Sequence, residues 1–148
     1  MTVTTYADLE DTIRARFVAQ ITAGGDGGAA IPTHVPNLGW FSDATTEIAQ
    51  PDSGLRAEIN LLHGEAYQAE VGVPSTTRRT GVLVVTLSVD ADLGENELLD
   101  AVVRVVAAFR KQSVGGVTYR VPYPTGRRRE GSAWRTNVNC PWMSDVVE

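Results

Sequence analysis

The sequence predicts an α+β fold: a four- to five-stranded, mainly antiparallel sheet with two amphipathic helices packed on it. Three observations point there. YADLEDTIRARFVAQI and ELLDAVVRVVAAFRK space their apolar residues at helical period. Residues 79–89, RTGVLVVTLSV, are almost continuously apolar and β-branched, the content of a central strand covered on both faces. Residues 55–61, 117–123 and 134–142 alternate apolar with polar, the period of a half-buried strand. The chain has 148 residues, 43% of them hydrophobic, which suits one domain spanning residues 1–148 around a real core.

Each element follows in order. Leu9, Ile13, Phe17 and Ile21 fall four apart on the first helix, with Thr5 as N-cap and Asp8, Glu10 and Asp11 near its positive end. GGDGG at 24–28 ends it, and IPTHVPN leads extended toward Trp40 and Phe41. Pro51, Asp52, Ser53 and Gly54 signal a turn before Leu55, Ala57, Ile59 and Leu61 begin to alternate. Residues 64–77 suit either a hairpin arm or a loop. DADLGEN then breaks the central strand, and Leu98, Leu99, Val102, Val103, Val106 and Phe109 form the second helical stripe, closed by Arg110 and Lys111. Val117, Tyr119, Val121 and Tyr123, then Trp134, Thr136, Val138, Cys140 and Trp142, read as a long antiparallel hairpin around a polar turn.

Composition narrows the function classes. The N-terminal residues carry neither a basic region nor an apolar core of a leader, and no apolar run approaches the roughly 20 residues of a membrane span, so a soluble, cytosolically made chain is expected. A formal charge of −5 argues against a dedicated nucleic-acid binder, whose affinity comes from neutralising phosphates. Every basic residue except Lys111 is arginine, whose planar fork suits carboxylates as well as phosphates.

Catalytic and metal patterns are missing. His34 and His63 lie in unrelated segments, without a second histidine at helical spacing. The single cysteine, Cys140, has no disulfide partner and sits on the alternation of a buried strand. The glycines at 24–28 follow a helix and lack a phosphate-loop lysine; the acidic group Asp90, Asp92, Glu95 and Glu97 lacks EF-hand order and suits a helix N-terminus. Arg127, Arg128 and Arg129, at a hairpin tip, suit a solvated turn or an exposed docking contact. No catalytic residue, cofactor or metal is expected.

RRTGVLVVTLSVDADLGENELLDAVVRVVAAFR resembles the central signature of phage tail terminator proteins, in which an arginine and a glycine enter a strand, a short glycine-containing turn follows and an apolar helix returns. The resemblance extends to the first helix, to IPTHVPN, to LRAEI and to WRTNVNCPWMSD, and rests on apolar spacing with Gly81 and Gly94. The glycine-rich insert at 24–28 departs from it, as does the acidic DADLGEN, where the family often has a proline-containing turn. The resemblance implies a non-enzymatic virion structural protein of the lambda-like siphophage type, found also in prophages and gene transfer particles. Such a protein caps the tail tube as a hexameric ring, ends tube polymerisation and presents the head-joining surface. Its implied partners are its own copies, the tail tube protein and a head-completion or stopper protein. DNA would pass through the lumen without specific binding, and no membrane is involved. Its place is the head-proximal end of the virion tail, assembled in the bacterial cytoplasm.

A ring needs heterologous contacts, and opposite charges on Arg78 and Arg79, or on Arg127, Arg128 and Arg129, against Asp90, Asp92, Glu95 and Glu97 are the candidates for them. Six chains at −5 give about −30, which favours an acidic lumen. The alternatives are another head-tail joining or tail completion protein, and a small nucleic-acid-binding module using the arginines at the hairpin tip.

Overall fold

A computed structural model describes residues 5–24, 30–43, 45–68, 76–93 and 95–147. Helix α1 (Tyr6–Phe17) runs into a π turn at Val18–Thr22 and is followed by β1 (Thr33–Val35), β2 (Gly39–Phe41), β3 (Glu47–Ile48), β4 (Arg56–Gln68) and β5 (Thr76–Asp90). A 3₁₀ turn, Ala91–Leu93, precedes α2 (Asn96–Phe109). The remaining strands are β6 (Ser113–Val114), β7 (Val117–Tyr119), β8 (Tyr123–Pro124), β9 (Arg128–Glu130) and β10 (Ala133–Val147).

The fold class differs from the expectation. The chain forms a ten-stranded mixed sheet with two short helices, where four or five strands under two helices were expected. The main path is β3-β2-β1-β4-β5-β10-β7-β6, with β8 and β9 also paired to β10. Most of the additional strands are two or three residues long and lie in Pro-, Gly- or Arg-rich stretches. Such strands are held by backbone pairing, β1, β7, β8 and β9 to a long neighbour and β2, β3 and β6 to another short strand, and need no apolar alternation of their own. One of these pairings, Thr33 with Ala57 and His34 with Glu58, is parallel and makes the sheet mixed.

β5 and β10 pair antiparallel without interruption from Thr76 opposite Val147 to Asp90 opposite Ala133. β4 pairs with the other edge of β5, with one irregularity between His63 and Ala66. The long hairpin read from the sequence is present in altered form, because its first arm is broken into β7, β8 and β9, all paired to β10. Residues 69–75 lie outside the described residues, as do Gly94 and most of the glycine-rich insert; residues 64–68 extend β4.

Both helices pack on one face. Thr5 caps α1 in a reciprocal capping box with Asp8, as its residue type predicts. Leu9, Ile13 and Phe17 of α1 and Leu98, Val105 and Phe109 of α2 join Ile59, Leu83, Val85, Leu87, Val138 and Cys140 in one core cluster. Phe17 stacks on Phe109 at 6.3 Å, and Phe109 meets Tyr119 edge-on at 5.0 Å. The Arg16 guanidinium donates to the Ala108 carbonyl at 2.8 Å, satisfying one acceptor left open in the last turn of α2.

Only this face of β5 is fully covered. Val82, Val84 and Thr86 point to the other side and stay half-buried, so coverage on both faces is a second expectation that the structure corrects. Gly81 is the most closely approached of the described glycines: a Cβ there would lie 2.2 Å from the Leu62 carbonyl oxygen and 2.4 Å from Trp142. Gly81→Ala is therefore expected to lower unfolding free energy by about 3 kcal/mol, measured by urea denaturation. An unchanged midpoint would remove this close-packing account.

Candidate interface surfaces

The register of β5 with β10 decides where the predicted charges fall. Asp90 lies opposite Ala133, and β9 pairs with the first residues of β10. This brings Asp90, Asp92, Glu95 and Glu97 to the same end of the sheet as Arg127, Arg128 and Arg129. Arg127 pairs with Glu95 within the chain. Arg128 Nε donates to Glu130 at 2.6 Å, and Arg135 reaches the same carboxylate at 3.3 Å. These contacts, led by the Arg128 hydrogen bond, hold the Glu130 carboxyl below its usual value.

Asp90 accepts from the Gly54 backbone N–H at 2.9 Å and from Arg56 at 3.3 Å, and these bonds lower its pKa, the Gly54 bond most. Asp90, Asp92, Asp52 and Arg129 line one hollow there. Of the nine predicted residues, Asp92, Glu97 and Arg129 make no ion pair among the described residues.

Arg78 and Arg79 lie at the opposite end of β5, roughly 40 Å from Asp90 at ~3.3 Å per strand residue. Arg78 faces Asp145 directly across the ladder and donates to it twice, at 2.8 and 2.9 Å. The hydrogen bonds raise the arginine pKa and lower that of Asp145. Arg79 points to the helical face, is only 8% exposed and lies with its guanidinium 4.4 Å from the Tyr6 ring centre. A cation over a ring face is an internal anchor.

His63 Nε2 donates to Glu10 at 2.9 Å and sits edge-on to Tyr6 and Trp142. His34 packs against Trp40 with ring centres 5.3 Å apart. Cys140 is fully buried, and burial pushes its thiol up to about 12. Among the described residues no group of three or more His, Cys, Asp or Glu side chains is placed to hold a metal ion, and no helix is long and apolar enough to cross a membrane.

Two surfaces escape a charge-based reading. Leu99 and Val103, assigned by sequence to the buried stripe of α2, face outward, while Ala101 and Val105 take buried places. The signal was an apolar arc too wide for contact with one sheet. The second surface is the side of the sheet that no helix covers among the described residues.

Two measurements check this geometry. The depressed Asp145 value means that its stabilisation is complete above the ordinary aspartate value near ~4 and is lost as pH falls through the lower folded value. Asp145→Asn should thus lower the urea midpoint at neutral pH and converge with the parent protein in strong acid; a constant difference would contradict the pairing. Cys140 should resist a thiol reagent in the native state and react fully once the protein is unfolded.

No protein-family model matches the chain, and no curated protein matches it. Among solved structures, a chain whose name states no function is similar over 94% of this chain and 97% of its own length, with a TM-score of 0.65 at 15% identity. That likeness shows the fold alone.

Proposed function

We propose that this chain is a tail terminator subunit: a structural virion protein that caps the tail tube as a hexameric ring, ends polymerisation and offers the head-joining surface. The observation that carries the reading is the segment that resembles the family. RTGVLVVTLSV forms the middle of the sheet, Ala91–Leu93 turns at its end, and ELLDAVVRVVAAF returns as α2 to pack on β5 and β10.

Gly81, one of the two glycines in that resemblance, occupies a position with no space for a side chain. The function is assembly without catalysis, with its own copies, the tail tube protein and a head-completion protein as partners. The nucleic-acid alternative is disfavoured because Arg127 and Arg128 are already engaged with Glu95 and Glu130.

The test joins mass and activity. Native mass spectrometry should find a particle of about six times the 15.9 kDa chain, in solution or on tail tubes. Added to polymerising tail tube protein, the chain should stop growth and appear at one tube end by electron microscopy. Unaltered tube growth, with no chain at the ends, overturns the proposal.

A further inference from the structure

We propose that two copies of this chain join head to tail by seating the outer ridge of α2 from one copy on the sheet face of the next that no described helix covers. The ridge is Leu99, Val103 and Ala107, spaced at i, i+4 and i+8. Leu99 is 42% and Val103 66% exposed, on the side of the helix away from buried Leu98, Ala101, Val105 and Phe109. Residues at this spacing form one straight row, with successive members about 6 Å apart along the axis.

The seat is on β4 and β5. Leu62 is 50% exposed and lies opposite half-buried Val82; Asn60 lies opposite Val84, one pleat along. A hollow of about 450 Å³ opens beside them, lined by His34, Glu58, Leu62, Val84 and Thr86 among others. It opens where the pairing of β1 with β4 stops, at Ala57 and Glu58, so that Asn60 and Leu62 have no paired strand on that side among the described residues. Same-face residues two apart on a strand repeat at about 6.6 Å, close to the ridge spacing.

Charge selects a second copy as the occupant. Glu58 stands half-buried in the hollow without an ion pair among the described residues, and a carboxylate so placed favours a cation. The C-terminal end of the ridge leads to exposed Arg110 and Lys111, which also make no ion pair there. Seating the ridge brings one of them to Glu58 and gives the bare face of the sheet the helix layer that such a face ordinarily packs against. The two surfaces differ, so the contact is heterologous and repeats from copy to copy until a ring closes. The tail terminator reading enters only in setting the number of copies at six.

Disulfide trapping tests the contact. Val103→Cys and Leu62→Cys are prepared separately, checked for native circular dichroism, and oxidised alone and mixed; fully buried Cys140 stays silent. The mixture should give a covalent dimer that neither variant gives alone, and Val103→Cys/Leu62→Cys in one chain should give a ladder ending at the ring.

Dimerisation of Val103→Cys alone would indicate helix-to-helix contact, and that of Leu62→Cys alone sheet-to-sheet contact; either overturns the proposal. Rings by native mass without any cross-link overturn it too, while leaving the function above intact. A closed ladder from a protein that does not arrest tail tubes supports the contact and removes the terminator function. As a second variant, Glu58→Arg should weaken association at least tenfold, with recovery when combined with Arg110→Glu and Lys111→Glu; unchanged association overturns the charge selection.

Discussion

The continuous antiparallel ladder between β5 and β10 is the constraint on which the remaining structure depends. Its register puts Leu83, Val85 and Leu87 beside Cys140, Val138 and Thr136 on the helical face, and a slip of one residue would turn that whole set outward. The ladder also offers its two outer edges to everything else. β4 is laid along β5, and β7, β8 and β9 are laid along β10. The helices then have one apolar face to cover, and the aromatic contacts among Phe17, Phe109 and Tyr119 tie α1, α2 and β7 together above it.

Elements with strong periodicity were legible in the sequence. The Thr5 cap, the two helices and the long strands around Ile59, Val85 and Val138 lie where spacing places them, because apolar periodicity and burial are two expressions of one pattern. The strand count was not legible. A three-residue strand such as β9, Arg-Arg-Glu and exposed at each residue, has no hydrophobic signature and exists because β10 presents it with free backbone groups. The run in β5 was also ambiguous, since alternation between Leu83 and Val84 is invisible when both are apolar.

The candidate charges were legible as residues, though their partners were not. Sequence suggested that arginines and carboxylates would meet between copies. Within one chain the fold joins Arg78 to Asp145, Arg56 to Asp90 and Arg127 to Glu95. Asp145 and Arg78 are 67 residues apart in sequence, a proximity that no local pattern encodes. Internal pairing lowers what these groups can contribute to association, since an exposed ion pair exchanges one well-solvated arrangement for another. Leu99 and Val103 on α2, and Leu62 on the sheet face that no described helix covers, carry no charge to be paired internally.

β10 lies inside the sheet, next to β5, but follows every other described element. Its partner β5 is separated from it by α2 and four short strands, so the main ladder closes a long loop and is slow to form compared with local contacts. During synthesis β5 and α2 emerge with one side of the sheet still missing, and β7, β8 and β9 have nothing to pair with. Assembly of the sheet is therefore timed by translation: a nascent chain lacks a finished surface to offer a neighbour until the strand ending at Val147 has arrived.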